Sequence, residues 1–382
     1  MLGLILLLTI GVSLQQYLKP PKTFGQGTQA YTHYNNYIIF KQSSTHLAQH
    51  TDLYKPYPAE HWDLYKYSPA FALGFVVFAW LPNWMGLILW NLLNALVLVL
   101  ALQKLPYIAA KQKPLLLLLL LPELVTSLQN SQSNALMAGL LILAFVSLER
   151  GKLAWATLWV VISIYIKLFG VVGFALFLFY PSKWKSALWA LLWFMLFWVA
   201  PAALVGIHQL LYLYKSWLAL LQMDEAASYG LSVAGMLYAF TDYPINKSLL
   251  TALGILLFCL PLLHYQRYKW PLFRMLMLVQ VLLWIVIFNH KAESPTFIIA
   301  MAGVAIWYFS QPRSKIATML GIFALVFTSL GSTDLFPAFV RNQFFIPYAL
   351  KALPCVVIWL YVIYQLTFTN HLHHLPNKAE PA

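Results

Sequence analysis

Residues 115–121 are seven consecutive leucines, and the uncharged run that contains them extends from Pro114 to Pro122. No polar residue alternates with these leucines, so no face of the segment is suited to water. Lipid offers no hydrogen-bond partner to the backbone, and a helix satisfies its backbone groups internally. The run therefore predicts a helix in lipid, where a full crossing needs about 20 apolar residues.

The whole chain has the same apolar character. Its 382 residues are 61% hydrophobic and only 9% charged, whereas a soluble domain is about 25% charged. So few charges cannot cover the surface of a soluble enzyme, and the composition also excludes a disordered chain. The predicted fold class is all-α, a polytopic transmembrane helical bundle of about 12 spans. Residues 1–368 are expected to form one integral-membrane domain.

Basic residues are concentrated in every second polar break between the apolar runs. These breaks contain Lys104, Lys111 and Lys113; Arg150 and Lys152; Lys183 and Lys185; Arg267 and Lys269; and Arg313 and Lys315. Loops rich in Lys and Arg stay on the cytoplasmic side of a membrane. We therefore place both termini in the cytoplasm, including a short polar tail at 369–382. This topology accounts for the net charge of +13, and no nucleic-acid partner is expected.

The alternate breaks are then extracytoplasmic. The longest of them, residues 19–67, is the predicted first extracytoplasmic loop, and it is expected to carry surface-lying helices. The short apolar stretch Pro69–Leu81 is predicted to be a partial or surface-lying helix. Further outer breaks fall at 130–134, around Lys167, at 207–247, at 289–295 and at 332–347. Most of the acidic residues are on this side, so we expect the chemistry there.

The first outer loop mixes carboxylates with amines and aromatic rings. Asp52, Glu60 and Asp63 alternate with Lys66, Tyr67 and other tyrosines. This mixture suits a sugar, because acids and amides bind hydroxyls while rings stack on the C–H faces. It equally suits the belt of Tyr and Trp that membrane proteins carry at headgroup depth.

Two further polar clusters belong to the candidate site. The segment 289–295 reads Asn-His-Lys-Ala-Glu-Ser-Pro, and such a cluster at a helix end is costly unless it is hydrated or bound to a ligand. His290 and Lys291 are candidates to hold a phosphate, while a salt bridge to Glu293 within the loop is the alternative. The amides between Gln129 and Asn134 predict a helical hairpin, and a neutral polar turn is the alternative there.

The order of these features resembles glycosyltransferase family 87, a family of polytopic membrane enzymes with the GT-C architecture. The resembling segments are Thr51–Tyr54, Tyr65–Leu73, Leu81-Pro82 through Asn94, Asn130–Asn134, Glu149–Lys152, Lys167 and Ser294-Pro295. The hairpin Asn130–Asn134 stands where the family has Gly-Gln-x-Asn. Together the segments extend across most of residues 30–300.

The resemblance implies that a hexose, with mannose expected, is transferred from a polyprenyl-phosphate donor to a lipid-linked or cell-surface glycan. It places an inverting reaction on the extracytoplasmic side of the inner (plasma) membrane, with a first-loop acid as general base. The two substrates and membrane lipids are the expected partners, and we expect neither a cofactor nor a metal. The expected donor and acceptor contacts are Asn35, Asn36, Lys66, Tyr67, Gln132, Asn134, Lys167, His290, Lys291 and Glu293.

One position departs from the family pattern. The family's first-loop acid begins an Asp-Phe-x-x-Tyr-Tyr-like segment, which matches Asn35–Phe40 in this chain. An asparagine amide cannot act as a general base. The remaining candidates for the base are Asp63, Glu60, Asp52 and Glu293. Asp63 is favoured because it directly precedes the partial helix at the membrane surface.

Two other functions are compatible with the residues. A bundle of about 12 spans is also typical of a lipid or glycan transporter or flippase. Such a transporter is expected to have charges at the bilayer midplane and two halves that repeat each other. The missing acid at Asn35 also allows a non-catalytic relative that binds glycolipid.

Overall fold

The computed structural model describes residues 1–25, 28–223, 228–312, 314–331 and 333–369. Over these ranges the chain is helical almost throughout, which confirms the all-α prediction. Residues 370–382, nearly all of the predicted cytoplasmic tail, lie outside the described residues, as does Arg313 in one of the basic breaks.

Most elements follow one another closely, and the longest irregular segment of the described ranges is 49–68 in the first loop. The α-helices are α1 (Leu2–Leu18), α2 (Asn35–Ala48), α3 (Pro69–Gly74), α4 (Val76–Ala79), α5 (Asn83–Lys104), α6 (Lys113–Gln129), α7 (Asn134–Glu149), α8 (Leu153–Ile166), α9 (Lys183–Val199), α10 (Ala202–Met223), α11 (Val233–Thr241), α12 (Lys247–Cys259), α13 (Pro271–Ile287), α14 (Phe297–Phe309), α15 (Lys315–Ala324), α16 (Ala338–Val340) and α17 (Leu353–Phe368). Tighter 3₁₀ segments cover Ala110–Gln112, Leu168–Phe179, Leu260–Leu263, Tyr265–Lys269 and Ser294–Thr296, and π-helical segments cover Leu325–Leu330 and Arg341–Phe345. The strands of the described ranges are β1 (Lys22–Thr23) and β2 (Ala30–Tyr31), which pair antiparallel.

The helices α13 and α14 lie at the centre of the bundle. The helix α14 is apolar throughout and α13 is apolar except for Arg274 and Gln280. Side chains such as Phe273, Leu282 and Trp307 are fully buried. The two helices pack against each other, and α17 and the segment Leu168–Phe179 cover α13. A helix that is hydrophobic all round is stable only when it is surrounded in this way or lies in lipid.

The helix α9 lies at the periphery and shows the opposite pattern. Ser186 is its one fully buried residue, while Trp184 and Leu191 are 75% and 59% exposed. Soluble monomers rarely expose contiguous apolar surface of this kind. The exposed face of α9 is therefore suited to lipid.

Within the described part of the chain, two helices, α5 and α10, are long and apolar enough to cross a membrane. The 22 residues of α5 extend about 33 Å, close to the thickness of a bilayer core. The remaining apolar helices of the described ranges have 10–17 residues. These lengths support membrane association, and the larger number of crossings expected from the sequence stays a prediction.

Two short helices, α3 and α4, occupy the stretch where a partial helix was expected. Ser68 begins α3, since its side-chain oxygen accepts a hydrogen bond from the Phe71 N–H at 3.2 Å. Such a cap satisfies one of the backbone donors that every helix start leaves open. Pro69 suits the first helical position because it has no N–H to satisfy.

One extended residue, Lys167, interrupts the helical structure between α8 and the 3₁₀ segment Leu168–Phe179. Lys167 is extended there, with φ −143° and ψ 126°. Gly170 lies directly against α8, where a Cβ atom would overlap the Ser163 hydroxyl. The break turns the chain back over α8 and leaves the Lys167 side chain at the end of the helix.

Hydrogen bonds group the polar breaks into two opposite ends of the bundle. At one end Asn36 bonds the Asn130 carbonyl, and the 130–134 hairpin bonds the 289–295 loop. At the other end, the Glu149 carboxylate forms a bidentate ion pair with Arg274. It also accepts hydrogen bonds from the hydroxyls of Tyr107 and Tyr180. This grouping agrees with the alternation of breaks in the sequence, and which end faces the cytoplasm stays a prediction.

Candidate active site

A cleft of about 630 Å³ lies at the end of the bundle that carries the first loop. Its volume is in the range of about 300–1,000 Å³ that is usual for small-molecule sites. Nine of the expected site residues line it: Asn36, Asp63, Lys66, Tyr67, Gln132, Lys167, His290, Lys291 and Glu293. The structure therefore brings three separate polar clusters of the sequence to one place.

Asn35 and His61 fix the backbone on either side of Asp63. The Asn35 amide donates to the Trp62 carbonyl at 2.8 Å and accepts from the Trp62 N–H at 2.9 Å. His61 Nδ1 lies 2.9 Å from the Asp63 carbonyl oxygen, and it must donate because a carbonyl can only accept. Burial lowers the pKa of His61, which keeps its ring neutral at pH 7. Asn35 itself does not line the cleft.

Asp63 is the first-loop carboxylate that faces the cleft. Its φ is +72°, a backbone region that Asp and Asn adopt more readily than other non-glycine residues. One carboxylate oxygen accepts the Leu64 N–H at 2.7 Å and lies 3.3 Å from Lys66 Nζ. The side chain is 52% exposed, so its other lone pairs can reach an incoming hydroxyl group.

The other two first-loop acids hold the loop together. Asp52 accepts the Tyr54 N–H and the side-chain hydroxyls of Tyr212 and Ser216, all at 3.0 Å, which ties the loop to α10. Glu60 lies 3.1 Å from His46 Nε2. Neither acid lines the cleft.

The helix α5 holds the hairpin between α6 and α7. Trp90 Nε1 donates to the Ser131 carbonyl at 2.8 Å, and the Asn94 side chain accepts the Leu136 N–H at 3.1 Å. These bonds satisfy backbone groups that the helix ends leave open. The segment Trp90–Asn94 and the hairpin therefore act as one structural unit.

Ser131 adopts a backbone conformation that favours glycine. Its φ is +51°, and its buried hydroxyl has no hydrogen-bond partner among the described residues. We expect Ser131→Gly to stabilise the protein by about 1 kcal/mol, because glycine avoids the left-handed strain of about 1–2 kcal/mol and loses a part of this gain in entropy. Thermal unfolding in detergent measures the change.

The matched control is Ser133→Gly. Ser133 belongs to the same hairpin and is equally buried, but its φ is −82°. Glycine is expected to destabilise the protein at this position. Equal shifts for the two variants would refute the conformational argument.

A chain of hydrogen bonds joins Lys167 to Glu293, two charged residues of the cleft lining. Lys167 Nζ donates to Asn134 Oδ1 at 2.7 Å, and Asn134 Nδ2 donates to Gln132 Oε1 at 2.6 Å. Gln132 Nε2 then donates to Glu293 Oε2 at 2.7 Å. Asn134 is fully buried and lies behind the cleft wall.

Lys167 is the cation at the end of this chain. Burial lowers its pKa to about 8, and the Glu293 carboxylate opposes that shift. The amine lies 5.8 Å from the centroid of the Tyr67 ring. Because a lysine is charged below its pKa, the Lys167 amine is cationic at pH 7 and loses its charge as the pH rises through about 8.

The 289–295 loop is held by its own backbone and by the segment after α10. Glu293 forms a reciprocal cap with Thr296 at the start of the 3₁₀ turn. The Leu231 N–H donates to the Ala292 carbonyl at 2.8 Å. Gly230 allows this approach, because a Cβ atom there would lie 2.7 Å from the His290 carbonyl.

The apolar residues of the cleft lining, named the apolar wall, were not predicted from the sequence. This wall consists of Ile39, Phe40, Leu64, Ile166, Leu168, Phe169, Trp217 and Leu221. Trp217 Nε1 donates to the Lys66 carbonyl at 3.1 Å, which fixes α10 against the first loop. Nothing in the sequence distinguishes these residues from others that face lipid. By contrast, Tyr54 and Tyr65 of the first loop are buried and pack together rather than face the cleft.

The cleft is therefore lined by amines, amides and carboxylates, named the polar wall, and by the aliphatic and aromatic side chains of the apolar wall. Within the described ranges, no three His, Cys, Asp or Glu side chains are grouped so that they could hold a metal ion. The polar groups suit a ligand with hydroxyls and an anionic centre.

A sequence model of glycosyltransferase family 87 matches residues 65–288, more than half of the chain. The chain belongs to this family. As a member of family 87 it is a glycosyltransferase, as the resemblance implied. The matched region includes Lys66, Gln132 and Lys167, whereas Asp63 and Glu293 lie just outside its two ends. No curated protein matches the chain.

Proposed function

We propose that this family-87 protein transfers a hexose, with mannose expected, from a polyprenyl-phosphate donor to a lipid-linked or cell-surface glycan. The transfer inverts the anomeric carbon and takes place on the extracytoplasmic side of the plasma membrane. Family membership supports the sugar transfer. The presence of both amines and apolar side chains in the cleft lining is the observation that supports a lipid-phosphate donor.

The polar wall suits the phosphate, and the apolar wall suits the isoprenoid chain. Lys66, Lys167 and Lys291 all line the polar wall, and ammonium groups form strong charge-assisted hydrogen bonds to phosphate oxygens. Leu168 and Phe169 follow Lys167 directly and line the same cleft. An isoprenoid phosphate is apolar and anionic at adjacent positions, which matches this order of side chains.

Asp63 acts as the general base in this proposal. It takes the proton of the acceptor hydroxyl as the hydroxyl oxygen attacks the anomeric carbon. The bond from that carbon to the phosphate oxygen breaks, and polyprenyl phosphate leaves with the bonding electron pair. Lys167 and Lys291 stabilise the charge on the leaving phosphate. A single displacement of this kind inverts the configuration.

The experiment is a transfer assay with purified protein in detergent or vesicles. Radiolabelled polyprenyl-phosphate mannose is supplied together with glycolipid acceptors, and labelled product is expected. Other polyprenyl-phosphate hexoses and a nucleotide sugar are tested in parallel. If a well-folded sample transfers sugar from the nucleotide donor only, or from none of the donors, the proposed donor class is wrong.

The proposed orientation predicts opposite labelling of two engineered cysteines. Ala59 is exposed in the first loop, Ala110 is exposed beyond the other end of α5, and Cys259 is exposed and must first be replaced. In a Cys259→Ser background, a membrane-impermeant maleimide should label Ala59→Cys in intact cells. Ala110→Cys should react only after permeabilisation. The reverse pattern would place the cleft on the cytoplasmic side.

A further inference from the structure

The side-chain amides of Asn134 and Gln132 link the Lys167 ammonium to the Glu293 carboxylate. The hydrogen bonds of this link can donate in one direction only, from Lys167 toward Glu293. An ammonium can only donate hydrogen bonds and an ionised carboxylate can only accept them. Lys167 therefore fixes which end of the Asn134 amide faces it, and Asn134 fixes the Gln132 amide in turn. The final donor of the chain then points at Glu293.

Both polar ends of the Asn134 side chain are occupied by protein. Its oxygen accepts from Lys167, its nitrogen donates to Gln132, and the residue is 0% exposed. It has no surface from which to touch a ligand in the cleft. Any influence of Asn134 on a ligand must pass through the residues at the two ends of the chain.

The hairpin that carries these amides is itself rigidly held. Trp90 and Asn94 of α5 bond its backbone from one side, and Asn36 of α2 bonds the Asn130 carbonyl from another. A site is more accurate when the supporting residues sit on fixed elements. The two amides therefore hold their ends at a set separation.

We propose that Asn134 and Gln132 are positioning residues, an amide relay that holds the Lys167 ammonium and the Glu293 carboxylate in place for the lipid phosphate and the sugar hydroxyls. This inference rests on the proposed function for its ligands, but the relay itself is a property of the folded protein. The lowered pKa of Lys167 agrees with a buried amine that has few other partners for its charge.

The test substitution is Asn134→Asp, which keeps the size of the side chain and removes its donor. Two acceptors would then meet at the contact with Gln132, and the added carboxylate would face Lys167. We expect kcat/KM for the donor to fall about 10- to 100-fold, as when outer residues that orient a site are changed. The pKa of Lys167 is expected to rise, since a new negative charge favours the ammonium.

The pKa of Lys167 is followed without any turnover. An amine-reactive reagent is applied over a range of pH, and modification of the Lys167 peptide is measured by mass spectrometry. Asn130→Asp is the matched control, because Asn130 is exposed, belongs to the same hairpin and bonds only the Thr126 carbonyl through its side chain. It adds the same charge and should change kcat/KM less than twofold.

A second variant tests the direction of the relay. In Asn134→Asp the Gln132 amide can turn over, but its oxygen then faces Glu293. Adding Glu293→Gln supplies a donor at that position, so the chain can re-form in the opposite direction. The double variant should therefore regain thermal stability relative to Asn134→Asp, whereas a purely local packing effect would leave the two changes additive.

The outcomes separate the relay from the proposed function. If Asn134→Asp leaves the Lys167 labelling profile unchanged, or if Asn130→Asp lowers kcat/KM equally, the relay is wrong. If the labelling profile shifts and stability recovers in the double variant, the relay is supported even where no polyprenyl-phosphate sugar is transferred. With no such transfer, the proposed donor class is wrong while the relay is still supported.

Discussion

Replacing Asp63 by asparagine is expected to lower kcat for sugar transfer by about 10²–10⁴-fold, the usual contribution of a general base. The amide cannot take the acceptor's proton, whereas the neighbouring Lys66 amine remains to bind the donor. KM for the donor is therefore expected to change little. The measurement is steady-state kinetics with varied donor and acceptor on purified variants.

Asp242→Asn is the matched control for this experiment. Asp242 also has a positive φ, +53°, and it is exposed at the end of α11 away from the cleft lining. Asparagine is tolerated in this backbone region at both positions, so differences in activity report the lost carboxylate. A larger loss of kcat from Glu60→Gln or Asp52→Asn than from Asp63→Asn would assign the base elsewhere in the loop.

Replacing Lys351 by alanine is expected to destabilise the fold by about 3–5 kcal/mol, the cost of leaving a buried charge unpaired. Lys351 Nζ lies 2.8 Å from Glu123 Oε1 and 2.8 Å from Ser294 Oγ, and both charged residues are almost completely buried. Glu123 Oε2 has no hydrogen-bond partner among the described residues. Thermal or denaturant unfolding in detergent measures the effect.

The pair Glu123→Leu with Lys351→Met separates the charge from the packing. Removing both charges is often neutral, since neither side chain is then left unpaired. The double variant should therefore be more stable than Lys351→Ala. The exposed pair Asp334–Arg341, 2.6 Å apart with Asp334 99% exposed, serves as control. Asp334→Asn should leave the unfolding temperature unchanged, because exposed ion pairs contribute little.

Local sequence signals predicted the elements that depend on local chemistry. The leucines at 115–121 lie within α6, and the short apolar stretch after the first loop forms α3 and α4. Lys167 is at one of the predicted polar breaks, and the structure has an extended residue there between two helical segments. In each case a helix start, a proline or a charge next to an apolar run was sufficient to predict where the element begins or ends.

Contacts between distant residues were not predictable in this way. The Lys351–Glu123 pair joins residues 228 positions apart, and Ser216 bonds Asp52 across 164 positions. A single sequence contains no signal for which buried charges meet. Asp52 and Glu60 had the chemistry of a base, but tertiary contacts turn them toward α10 and His46.

The polar wall of the site could be predicted because its residues are exceptional in an apolar chain. Amides and charges at helix ends, as in Gln132 and Glu293, are costly in a membrane protein unless they bind each other or a ligand. The apolar wall could not be predicted, since Phe169 and Trp217 resemble the many other aromatic residues that lie in or near lipid.

The central claim is that the cleft holds a lipid-phosphate sugar with Asp63 facing the anomeric carbon. The most direct test is a structure of the protein bound to a polyprenyl-phosphonate sugar that cannot be transferred. We expect the phosphonate oxygens within hydrogen-bond distance of Lys167 or Lys291, with Asp63 on the opposite face of the anomeric carbon. A sugar bound outside the cleft, or a different carboxylate on that face, would contradict it.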